Sequence, residues 1–190
     1  MATIKGKLQP NGTTVITGEA KLCYTHLLVP KSINGGPEKY SVAVLIPKDD
    51  VEQLKLVKQA IDNALSAGKA KFGEKWAQGK LKKPLRDGDD PEEGKGEEFH
   101  GHFFFNTNSG TKPTLVDQKM NPVTDDGVIY SGCFARVSVN FYPFDQAGSK
   151  GVAAGLNNVQ KIRDGERLGG GKTDAFEEFE ALESDFNPLD

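Results

Sequence analysis

The run GCFARVSVNFYPF at residues 132–144 constrains this chain more than any other stretch. In an extended strand successive side chains point to opposite faces. One face then presents Cys133, Ala135, Val137, Val139 and Phe141, all apolar; the other presents Phe134, Arg136, Ser138, Asn140, Tyr142 and Phe144. Such alternation belongs to a half-buried strand of an antiparallel sheet, with a core on the first side.

The rest of the chain extends this pattern. TTVITGEAKLCYTHLLV (13–29) and KYSVAVLIP (39–47) are rich in β-branched and aromatic residues and are parted by turn chemistry, so both read as strands. After Pro47, the residues Val51, Leu54, Val57, Ile61, Ala64 and Leu65 recur at spacings of three and four. They predict an amphipathic helix over about residues 49–67, with Gly68 as its stop. Residues 84–101 are Gly, Pro and charge without period, which predicts a long mobile loop. Strand patterns resume at HFFFNTNS (102–109) and PTLVD (113–117). The expected fold is mainly β with one or two helices: an OB-fold type five-stranded antiparallel barrel with an inserted helix and long loops. Residues 1–168 form the expected domain, followed by a flexible Gly-rich link and acidic tail over 169–190.

On the strand at 132–144, an aromatic and cationic face is placed where water is expected. Single-stranded nucleic acid is bound by that combination, because each base offers a π-face and each linkage a phosphate. Phe134, Arg136, Asn140, Tyr142 and Phe144 are therefore the candidate contacts, and burial of an aromatic under a loop is the competing reading. Lys150, Lys161 and Arg163 extend the face along the downstream run; Lys80, Lys82 and Lys83 offer a basic groove edge, or one solvated side of a loop.

Charge is unevenly distributed. Residues 1–173 carry all 24 Lys and Arg against 20 acids, whereas 174–190, DAFEEFEALESDFNPLD, carry seven acids, no Lys or Arg and three Phe. A basic body with an acidic tail points to nucleic acid or partner recruitment. Phe176, Glu177, Glu178, Phe179, Asp185, Phe186 and Asp190 are the candidate partner contacts; a solubilising segment or a short capping helix is the plainer reading.

Other chemistries find less support. GGGKT at 169–173 lacks the spacing of a phosphate-binding P-loop. Cys23 and His26, with His100 and His102, fit no specific zinc template and read equally as a core thiol and loop imidazoles, so neither metal nor cofactor is expected. No triad or acid–base pair stands out, so no enzyme is expected. No run of eighteen apolar residues or secretory leader is visible, and the chain reads as soluble and made in the cytoplasm.

SGCFARVSVNFYPFDQAGSKGVAAGLNNVQKIRDGERLGG closely resembles the C-terminal core of a family of bacteriophage single-stranded DNA-binding proteins, formerly a domain of unknown function. The carrying features are the aromatic strand, a Gly-Ser-Lys-Gly turn, GLNNVQK and RDGERLGG; KYSVAVLIPK and the following helix extend the likeness. The resemblance implies an OB-fold that binds ssDNA without sequence preference during phage replication and recombination, in the cytoplasm of an infected host. It is also similar in its charged tail to the gene 2.5 type, although here the last residue is Asp190 and Phe186 lies four positions in. The partners implied are ssDNA and replication or recombination proteins reached through the tail, and the sequence is compatible with a homodimer. A phage assembly adaptor without DNA affinity is the rival reading.

Overall fold

The computed structural model describes residues 4–32 and 34–168. Its elements are β1 (Lys7–Leu8), β2 (Thr14–Ile16), β3 (Ala20–Ser32), β4 (Glu38–Pro47), α1 (Val51–Phe72), α2 (Glu74–Gln78), β5 (Arg86–Asp87), a 3-10 turn (Glu97–Phe99), β6 (His102–Ser109), β7 (Thr114–Val116), β8 (Phe134–Gln146) and β9 (Ser149–Arg163). The tail and its glycine link lie outside the described residues. No helix among the described residues is long and apolar enough to cross a membrane.

Five strands form a ring in the order β8-β3-β4-β6-β9, which returns to β8 through the β8–β9 hairpin. Four joins are antiparallel. The fifth, β6 to β9, is parallel at Asn108 and Gly155, so the all-antiparallel expectation is corrected there. A parallel join is forced by connectivity, because the antiparallel β8–β9 hairpin brings the chain back along β6 in the same direction. This ring order is that of an OB-fold, here an incompletely closed barrel with α1 inserted between its second and third strands.

The alternation on β8 sorts as its pattern demands: Cys133, Ala135, Val137, Val139 and Phe141 are all buried. They meet Val42, Val44 and Ile46 of β4 and the buried stripe Leu54, Val57, Ala60, Ile61 and Ala64 of α1. Asp50 caps the helix by accepting from Gln53 N at 3.1 Å. The helix passes the expected stop at Gly68 and ends at Gly73, whose φ of +92° takes it out of helical space. Gly68 serves close packing instead: a Cβ there would overlap the Trp76 ring and lie 2.7 Å from Pro143 Cβ.

The segment expected as a mobile loop is tied to the barrel. Arg86 and Asp87 pair with Phe104 and Phe103, and Phe99 has no exposed surface. With Cys23, Ala43, Leu45, Phe104 and the half-buried Leu168, Phe99 builds a second apolar cluster. Cys23, Ala43, Leu45 and Phe104 belong to the opposite face of the sheet from the interior residues Val42, Val44 and Phe105. Part of the outer surface of β3, β4 and β6 is thereby covered.

Candidate nucleic-acid interface

The second face of β8 leaves the core as expected, but long-range partners engage most of it. Phe134 lies under the Arg163 guanidinium, 3.6 Å from its ring centroid. Arg136 donates from Nε to Thr17 O at 3.1 Å and from Nη2 to Lys5 O at 3.3 Å, tying the N-terminal segment to β8. Asn140 Oδ1 accepts from the hydroxyls of Thr13 and Thr14. Phe144 is half-buried, and its carbonyl accepts from Trp76 Nε1. Tyr142 alone of the five is exposed, at 41%, with its ring 3.4 Å from the Cβ position of Gly155.

The expected cations divide in the same way. Lys150 Nζ donates to the Lys75 and Trp76 carbonyls of α2, both at 3.1 Å. Lys161 pairs with Asp164 at 2.5 Å and lies over the Tyr130 ring, and Arg163 reaches Glu19 at 2.6 Å. A side chain spent on such a bond must break it before neutralising a phosphate. Lys80, Lys82 and Lys83 are exposed, and the Lys82 backbone pairs with Gly151 beside the β8–β9 hairpin.

A different surface gathers aromatic, cationic and hydrogen-bonding groups together. On the outer face of β3, β4 and β6 a groove of about 520 Å³ is lined by Tyr24, His26, Lys31, Ser32, Asn34, Ser41, Lys95, Asn106 and Asn108, over a floor of sheet residues. A smaller hollow of about 240 Å³ continues it past Lys31 and Ser41 to Lys39 and Pro37 at the β3–β4 tip. Among the described residues, no carboxylate lines either hollow. By contrast, hollows elsewhere include Asp50 and Glu52, Asp117 and Asp164, or Asp62. In ring order β4 and β6 are the second and third strands, the face that OB-folds use for oligonucleotides together with the loop between strands one and two.

Tyr24 is the aromatic of this groove, 48% exposed. The β3–β4 register shifts between Cys23 and His26, and at this bulge Tyr24 takes φ +49°. A left-handed non-glycine residue costs roughly 1–3 kcal/mol, and such strain gathers at ligand sites. Burial and then the charge of Lys31 push the His26 imidazole below its ordinary pKa, leaving a neutral hydrogen-bonding ring at neutral pH. The cations of the groove are its lysines.

One wall of the groove is the acidic loop, secured at its base by Lys48, which contacts Asp87 and Asp89, both at 2.6 Å. Asp89 also accepts from Gly101 N at 3.0 Å. Both carboxyls are held below the usual range, first by the hydrogen bond from Lys48 and then by backbone N–H donors. Because the folded values are depressed, the clamp is intact above the ordinary carboxylate pKa and is lost as pH falls through the lowered ones. The Gly101 amide resonance is expected to titrate with a midpoint below that of an unpaired Asp, and Lys48→Met to move that midpoint up. An unshifted midpoint in the wild type would show that the clamp does not form.

The side chains weighed as metal ligands have other neighbours. Cys23 lies in the outer apolar cluster with its thiol pushed up to about 11, by burial first and then by Glu98. His102 Nδ1 lies 2.8 Å from His100 O, and no group of three or more His, Cys, Asp or Glu converges among the described residues. The sequence signals for the groove were faint. Tyr24 sits in a strand whose phase is broken by a bulge, and Lys31 and Lys39 flank an ordinary turn sequence.

A family model described as the ssDNA-binding protein of Enterobacter phage Enc34 matches residues 13–187. Protein p50 of Acyrthosiphon pisum secondary endosymbiont phage 1 is 32% identical over 176 residues, covering 85% of this chain and 90% of its own. Among solved structures, the single-stranded DNA-binding protein from bacteriophage Enc34 in complex with ssDNA superposes with a TM-score of 0.72 at 24% identity, over 89% of this chain and 96% of that one. Gp2.5, the single-stranded DNA-binding protein of bacteriophage T7, superposes with a TM-score of 0.58 at 19% identity, over 90% and 93% of the two chains. At these identities the two structures show a shared fold.

Proposed function

The chain belongs to the family of the Enterobacter phage Enc34 ssDNA-binding protein, and from that membership and the groove we propose that it binds ssDNA stoichiometrically, without sequence preference, in phage replication and recombination. The observation that carries this reading is the groove on the second and third strands of the ring, lined by an exposed Tyr24 with Lys31 and Lys95 and continued past Lys39, with no carboxylate among the described lining residues. Bases stack on Tyr24, the lysines neutralise phosphates and release counterions, and Asn106 and Asn108 hydrogen-bond to whatever base edges pass. Tyr142 on β8, with Lys80, Lys82 and Lys83, is the second reading, favoured by its exposed ring. Oligo(dT) titrations separate the two: Tyr24→Ala is expected to weaken binding by about fivefold to a hundredfold, the value of one stacked base. Tyr142→Ala is expected to leave affinity within about twofold, since stacking on its ring would cost far more to lose. The reverse pattern would move the site to β8.

The tail supports an added layer of control. Leu168, the last described residue, packs against the cluster of Cys23, Ala43, Leu45, Phe99 and Phe104, so the described chain ends on the same outer sheet face as the groove. Eight residues on, Phe176 reaches at most about 29 Å from there when extended, which spans a groove of this size. A tethered acidic segment at about millimolar effective concentration competes weakly with DNA for the lysines. Once displaced, it offers Phe176, Phe179 and Phe186 to replication partners. Removing residues 174–190 is expected to tighten oligo(dT) binding by about threefold to tenfold at low salt, with the gain fading as salt rises. Unchanged binding would leave the tail with recruitment alone.

A further inference from the structure

The outer face of β3, β4 and β6 has an open half and a closed half. The groove is the open half; the other, around Cys23, Leu45 and Phe104, is sealed by Phe99. Phe99 comes from GEEFHG, residues 96–101, the wall loop of the groove. A large aliphatic side chain would anchor that loop equally well. The ring does something an aliphatic cannot: it stacks on Tyr24 with centroids 6.0 Å and planes 25° apart, while meeting Phe104 edge-on at 4.8 Å and 71°. Tyr24 therefore has one ring face against Phe99, and its exposed remainder lines the groove.

Resting on the groove reading above, we infer that Phe99 is a positioning residue that stands in for the base beyond the end of the bound strand, holding the Tyr24 ring as the platform on which the base stack begins. The same loop turns its charges to fit. Lys95 lines the groove, whereas Glu97 and Glu98 do not, and Glu98 lies near enough to Tyr24 to push its phenol up, second to burial. The loop thus presents a cation to the groove, and these two carboxylates stand outside its lining. On this inference the strand starts at Tyr24 and runs toward Lys31 and Lys39, where the smaller hollow continues the groove to the β3–β4 tip.

Oligo(dT) carrying a single 2-aminopurine at successive positions tests this on the full chain, because that base loses fluorescence when it stacks. Wild type is expected to quench the probe most strongly at positions near one end of a short oligomer. Phe99→Leu is expected to abolish most of that quench and weaken binding by about threefold to tenfold, part of a stacked base, while the salt slope set by phosphate contacts is unchanged. In a Tyr24→Leu background, Phe99→Leu should add nothing, since it acts through Tyr24. Wild-type binding and quench by a folded Phe99→Leu, with Tyr24→Leu defective, would overturn the inference and leave the groove standing. Wild-type binding by Tyr24→Leu would overturn the groove itself. If circular dichroism shows Phe99→Leu unfolded, Lys48→Met, which loosens the loop from outside the groove, carries the test: it must lower the quench, and full quench would overturn the inference.

Discussion

Lys31→Ala, Lys39→Ala and Lys95→Ala combined are expected to lower oligo(dT) affinity by about a hundredfold at low salt, as three lost phosphate contacts would. Lys31 and Lys39 face each other across the β3–β4 hairpin and Lys95 comes from the acidic loop, so two segments bring the three to the groove. Each neutralised phosphate on a single strand contributes about 0.7 to the slope of log affinity against log salt, so the slope should become shallower by about two. Slope and affinity together separate this result from misfolding, which would reduce the active fraction without changing the slope. A matched triple change of Lys80, Lys82 and Lys83, exposed on a segment paired beside the β8–β9 hairpin, should leave the slope nearly intact. Equal effects from the two triples would mean that charge density, with no particular track, governs binding.

Phe141→Ala should be the most damaging single change to stability, costing about 3–5 kcal/mol, the range for removing a buried ring and leaving a cavity. Phe141 is 1% exposed and meets Phe105 of β6 edge-on across the barrel, 5.5 Å between centroids. The contact joins two strands that are not neighbours in the ring, so it holds the walls together where the β6–β9 join has one bridge. Urea unfolding measures the loss, and Tyr142→Ala, one residue away on the opposite face, is expected to cost less than about 1 kcal/mol. Similar losses for the two would contradict the assignment of faces on β8.

That assignment was legible in the sequence because period-two alternation reports which side of a strand faces a core. It does not report what covers the other side. Arg136 bonds to Lys5 across 131 residues, Thr13 to Asn140 across 127, and Arg163 to Glu19 across 144. No local pattern anticipates such partners, so a face that reads as wet and free proves largely engaged. Gly68 was similarly ambiguous: glycine marks both helix ends and close approach, and only the position of Trp76 decides between them. The groove was hidden by the bulge at Tyr24, which moves the ring out of the phase its strand predicts. Phe99 was hidden by its neighbours, since an acidic, glycine-rich run reads as solvent-facing, and its one aromatic was the sole sign of an anchor. The order of elements and the helix stripe, in contrast, rest on local spacing, and both were readable.

On the proposed reading, ssDNA lies across β3, β4 and β6. Amide chemical-shift mapping on a ¹⁵N-labelled full chain titrated with oligo(dT) tests it most directly. The largest shifts are expected on Tyr24, His26, Lys31, Lys39, Ser41, Lys95, Asn106 and Asn108. Shifts concentrated instead on residues 134–144 and 80–83, with the groove silent, would contradict it.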